Sequence, residues 1–170
     1  MHKILGVRAA IFIAVGLFIT FTQSHSAGTG LFALALFGIG LAVANLFSTI
    51  WAKQNYLAVE SLPVTVAALA VGLFAALIPQ TDPTAQALAL VYLVAGWSVI
   101  QAAMELYLAN RAGFRSRAGK DGLISAGLGF ALGLLFLIAQ LDIVSAVGFF
   151  GAYLVVSGVH LAIAALTPQK

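Results

Sequence analysis

The chain has 170 residues, of which 62% are apolar and 8% charged. A soluble domain carries about 25% charged residues. These proportions exclude a soluble enzyme, a disordered segment and a nucleic-acid-binding domain, and they leave an integral membrane protein.

The charges cut the chain into stretches long enough to cross a bilayer, which needs about 20 mostly apolar residues. Lys3 and Arg8 introduce the first apolar run, read as a retained helix over about 4–22 because no small-residue cleavage site stands out before His25. The polar stretch Thr22-Gln23-Ser24-His25-Ser26-Ala27-Gly28-Thr29-Gly30 breaks the charge-free run 9–52, and a second span follows over about 29–51. The third is predicted over 61–79, with Pro63 in its first turn, where a missing N–H costs nothing. Pro79 and Pro83 flank the next turn, and the fourth span is predicted over 84–108. The fifth and sixth follow over 122–141 and 143–167, with Pro168 after the last. Trp51 and Tyr107 stand at span ends as interfacial anchors, as do Arg8 and Glu60, which could also pair; Trp97 is mid-span and reads as packing.

All eight basic residues fall on one side of this arrangement: Lys3, Arg8, Lys53, Arg111, Arg115, Arg117, Lys120 and Lys170. The opposite turns carry only Asp82 and Asp142, read as solvated turn residues with Asp142 starting a helix. The split is +5 against −2, and the positive-inside rule places both termini in the cytoplasm. The absence of cysteine removes a disulfide framework and thiolate chemistry.

Self-similarity organises the chain further. Gly16-Leu17-Phe18 recurs as Gly72-Leu73-Phe74 and as Gly133-Leu134-Leu135, at offsets of 56 and 61, and small residues follow at Gly40, Gly96 and Ser157. Asn45 matches Gln101, Glu60 matches Asp121, and Tyr92 matches Tyr153. The expected fold is an all-α membrane protein with six transmembrane helices as three tandem helical hairpins, about 1–55, 56–115 and 116–170, in one domain covering 1–170. Two spans per unit keep all units in one orientation, which implies a pseudo-threefold bundle and argues against an inverted-repeat transporter.

This pattern resembles the acid-resistance membrane proteins of the HdeD type. The second unit carries the resemblance best, through Gly72-Leu73-Phe74, Ile78-Pro79, Ala87-Leu88-Ala89-Leu90 and Ala95-Gly96, whereas the first and third units lack the turn proline. The resemblance implies a multi-pass protein of the bacterial inner membrane linked to acid or other envelope stress, with no catalytic residues to carry over.

Polar residues at membrane depth are the candidate site. Asn45, Gln101, Glu105 and His160 lie in the same half of the even-numbered spans, and Gln101 and Glu105 share a helix face. One reading is a proton-responsive or ion-coordinating layer in which Glu105 and His160 share a proton. The other is interhelical hydrogen bonding, with Glu105 reaching Arg111 or Arg115. Arg111, Arg115, Arg117 and Lys120 form a basic loop that sets topology and faces lipid headgroups. Gly129 and Gly133 form a GxxxG pair, and Ala68 with Gly72 a second small-residue pair, suited to packing within the chain or to dimerisation.

No HExxH, GxSxG or P-loop pattern is present. The expectation is a non-enzymatic stress-associated membrane protein with no cofactor and no metal site. The alternatives are a small channel or transporter using the polar layer, and an accessory subunit of a larger membrane complex. The expected partners are membrane lipids, with a second copy or another membrane protein left open, and no nucleic acid.

Overall fold

The computed structural model describes residues 2–51, 55–78 and 82–167, with side chains described for 4–47, 62–78 and 82–167. Lys53, Pro79, Pro168 and Lys170, and the side chains of Lys3, Trp51 and Glu60, lie outside the described residues.

The protein is all-helical: α1 (His2–Phe21), α2 (Ala27–Trp51), α3 (Asn55–Leu77), α4 (Pro83–Ala112), α5 (Arg117–Ile138) and α6 (Ile143–Leu166). Among the described residues, five of the six, all but α3, are long and apolar enough to cross a membrane. The described apolar part of α3 is Leu62–Leu77. Apolar side chains such as Phe21, Phe47, Val66, Leu77, Ile138 and Leu166 are exposed on the outside of the bundle, as a lipid-facing surface requires.

Helix ends differ from the charge-free runs because caps set them. A charge-free run marks what can sit in hydrocarbon, whereas a helix runs on until its backbone groups find other partners. Thus α4 continues to Ala112 and stops where Gly113 adopts φ +82°, and α5 begins at Arg117 behind the Ser116 cap, whose hydroxyl accepts the Gly119 amide at 2.9 Å. At the opposite end, Asp82 accepts the Thr84 and Ala85 amides, and Asp142 accepts those of Val144 and Ser145. Ser26 caps α2 in the same way through the Thr29 amide. Pro83 occupies the first turn of α4.

The expectation for Pro63 is corrected. Because α3 begins at Asn55, Pro63 lies within the helix rather than in its first turn, and one helical hydrogen bond is forgone there. Pro63 is exposed, so its ring faces outward and does not disturb the packing of α3 on α2.

Helix packing is most extensive between α1 and α6, α4 and α5, and α2 and α3, while α2, α4 and α6 also touch one another. The tightest pairs therefore join different predicted hairpins, the first with the third through α1 and α6, rather than the two arms of one hairpin. Glycine explains which pairs approach most closely. A Cβ on Gly72 would lie 2.8 Å from the Ile39 amide nitrogen, and one on Gly38 would lie 2.5 Å from the Ala68 carbonyl oxygen. A Cβ on Gly16 would lie 2.9 Å from the Val155 nitrogen, and one on Gly133 would lie 2.8 Å from a Val99 methyl. At Gly72, Gly38 and Gly16 the helices touch backbone to backbone, and at Gly133 the missing side chain makes room for Val99. The GxxxG pair of α5 is spent the same way: Gly129 packs on Ala102 and Gly133 on Ser98 and Val99, all in α4 of the same chain.

The centre of the bundle is aromatic. Phe37 of α2 meets Phe12 of α1 edge-on at a centroid distance of 4.7 Å, Trp97 of α4 at 5.7 Å and Phe150 of α6 at 6.2 Å. All four are buried, so the axis at this level is filled by rings rather than open. The Trp97 Nε1–H has no hydrogen-bond partner there, a cost accepted for the packing.

Candidate functional site

Towards the end that carries the basic loop, the aromatic core gives way to polar groups. Arg8 projects from α1 and its guanidinium donates to Glu105 Oε1 of α4 at 3.4 Å. The two side chains are 17% and 15% exposed. The backbones of α1 and α4 do not pack on one another, so this ion pair ties two helices that packing leaves apart. The Arg8 Nε is buried without a partner.

The remaining polar groups of the layer lie close to this pair. Gln101, one turn above Glu105 on α4, is 4% exposed and its Oε1 has no hydrogen-bond partner. Ser157 of α6 is 6% exposed; its hydroxyl sits beside the Tyr153 phenol but makes no well-formed hydrogen bond. Tyr153 lies within electrostatic reach of both Arg8 and Glu105, and its ring packs on Phe12 at 6.4 Å. Arg8, Gln101, Glu105, Tyr153 and Ser157 thus gather two charges, a phenol and two unsatisfied oxygens beneath the aromatic core. Asn45 is buried on α2.

His160 is placed elsewhere in the layer. Its Nε2 donates to the Asp121 backbone carbonyl of α5 at 3.1 Å, which selects the tautomer with the proton on Nε2. The partner the structure gives Glu105 is Arg8. The α5 backbone is nonetheless near, since a Cβ on Gly122 would lie 3.3 Å from the Glu105 carbonyl oxygen. Glu105 and His160 therefore approach the second turn of α5, at Gly122 and Asp121, without meeting.

Arg111, Arg115, Arg117 and Lys120 are all exposed, with Arg111 in the last turn of α4 and Arg117 opening α5. This loop keeps its shape through two glycines. Gly113 takes a positive φ, and a Cβ on Gly119 would collide with the Gly113 carbonyl.

Sequence reasoning placed Arg8 at an interface and did not pair it with Glu105. The signal was present: among the residues predicted to lie within spans, Arg8 and Glu105 are the charges of opposite sign at one depth, and neither has an opposite charge at i±3 or i±4 in its own helix. Tyr153 and Ser157 were legible only as repeat positions. The Ser26 cap was hidden in a stretch of small polar residues that could have turned anywhere.

No known protein family, curated protein or solved structure matches the chain.

Proposed function

We propose that this membrane protein is non-enzymatic and responds to acid through the Arg8–Glu105 tie. The observation that carries the reading is a part-buried ion pair between α1 and α4, two helices with no backbone packing to hold them together. Protonating Glu105 would cancel the attraction and leave a guanidinium in an apolar bundle. That state is costly, and α1 relieves it by carrying Arg8 outward to the headgroups. Of the other titratable groups, Tyr153 lies within electrostatic reach of both members of the pair, while His160 is engaged by the Asp121 backbone carbonyl. The reading agrees with the acid-resistance resemblance of the sequence, and with a bacterial inner-membrane location whose basic end faces the cytoplasm.

A pseudo-threefold order of three hairpins is part of this proposal. Its support is that Gly16, Gly72 and Gly133 each lie at a close crossing with an even-numbered helix, and that Ser26, Asp82 and Asp142 each cap one.

A second reading has an observation of its own. The unsatisfied Gln101 Oε1 and Ser157 Oγ would suit a water or a cation on a conduction path. The Phe12, Phe37, Trp97 and Phe150 rings stand across that path, so conduction would require them to move. Purified protein in liposomes separates the two. The proposal expects no proton or cation flux above empty vesicles, and expects cells carrying Glu105→Gln to lose acid survival while the protein still inserts. Flux abolished by Gln101→Leu, or normal acid survival of the Glu105→Gln cells, would overturn it.

A further inference from the structure

We propose that an open groove beside the basic loop is a binding site for one anionic phospholipid. The groove holds about 530 Å³ and is lined by Ala103, Leu106, Tyr107 and Asn110 of α4, Phe114 of the loop and Phe130 of α5. The α4 residues fall at i, i+3, i+4 and i+7, which is one helix face. Along that face the groove runs about 10 Å from Asn110 to Ala103, down from the basic end.

Its chemistry changes along its length. The deep part is apolar: Ala103, Leu106 and Phe130 suit an acyl chain. The shallow part offers the Asn110 amide and two half-exposed aromatics, Phe114 and Tyr107, the latter a side chain that favours the headgroup region. Beside it in the chain stand the exposed Arg111, Arg115, Arg117 and Lys120, with Asp121 the one acid among them. A zwitterionic headgroup gains little from such a loop, whereas a phosphodiester without a compensating amine gains from every cation. The Gly113 turn and the Gly119 contact fix the backbone of the loop that also supplies Phe114 to the groove, so the charges are carried on a set loop rather than on a free tether. The site is independent of the Arg8–Glu105 pair and stands whether or not that pair responds to acid.

The test is native mass spectrometry of the full chain in mild detergent, titrated with palmitoyl-oleoyl phosphatidylglycerol or with the matching phosphatidylcholine. The expected result is one retained phosphatidylglycerol per chain, held about tenfold or more tightly than phosphatidylcholine. Two variants dissect the site: Arg115→Gln with Arg117→Gln removes charge, and Ala103→Phe fills the groove at an exposed position that needs no repacking. Both are checked for folding by helicity and gel filtration, and both are expected to lower retention. Loss in the arginine variant alone would mean surface attraction without a groove, and loss in Ala103→Phe alone would mean a chain seat without charge selection. Either result overturns the proposal, as does full retention in both, or displacement of the lipid by glycerol phosphate.

Discussion

Arg8 lies about 9 Å along α1 from its first residue, too deep for full hydration unless the side chain reaches out. It reaches inward to Glu105 instead, and this choice has measurable consequences. Removing one member of a buried pair strands the other, at up to about 3–5 kcal/mol in full burial. The pair is partly exposed at its edge, so Glu105→Gln is expected to destabilise by about 1–3 kcal/mol. Replacing both, in Arg8→Met with Glu105→Met, removes the stranded charge as well. The double variant is therefore expected to lose less than the two single variants together, with a coupling of about 1 kcal/mol or more in reversible unfolding. Strict additivity would mean that the two groups do not act as a pair. A second expectation at this scale concerns Asp142. The Ser145 hydroxyl and then the Ser145 amide hold its carboxyl below the ordinary aspartate range. A lowered value means that the cap contributes fully above the ordinary aspartate range and is lost as the pH falls through the lowered one. Asp142→Asn should flatten that acid limb of a stability profile, and an unchanged limb would contradict the assignment.

At the scale of helices, three glycine-lined crossings carry the packing. A side chain at Gly72 has no room against Ile39 and Gly38, so Gly72→Leu is expected to cost about 1–3 kcal/mol or to abolish folding. Gly96 is the control, because a Cβ there meets nothing within 4 Å. Gly96→Ala is expected to be neutral or to stabilise by about 0.5–1 kcal/mol through helix propensity. Thermal unfolding in detergent compares the two directly, and equal behaviour would contradict the close-contact account. These helices also show what the sequence could and could not convey. The number of helices and their approximate places followed from charge-free length, because hydrocarbon excludes charge over a fixed thickness. The ends did not follow, since Ser26, Gly113 and Ser116 set them by backbone geometry that hydropathy does not record. The pairing of α1 with α6 was also hidden, because Gly16 read as a repeat position, and Gly151 and Gly158 as two of 17 glycines, until their partners were known.

Among the described residues, the basic loop and the Asp82 and Asp142 caps stand at opposite ends of the bundle, and the Arg8–Glu105 pair lies towards the basic one. The sequence expectation that Asn45, Gln101, Glu105 and His160 share one half of the even-numbered spans rests on span positions. Their partners were not legible there, because partner choice depends on helix rotation, which no depth argument supplies. The proposed orientation has a simple check in a chain without native cysteine. A membrane-impermeant maleimide on intact cells should modify Ser24→Cys, and should modify Ala118→Cys only after permeabilisation; the reverse pattern would invert the topology. The same cysteine-free background permits the most direct test of the acid-responsive tie. Spin labels at Val7→Cys on α1 and Leu106→Cys on α4, both at exposed positions, report the distance across the Arg8–Glu105 pair. The account predicts a narrow distance distribution at neutral pH, a broad one on acidification, and a broad one at both pH values when Glu105→Gln is added. A narrow distribution that neither acid nor Glu105→Gln alters would contradict it.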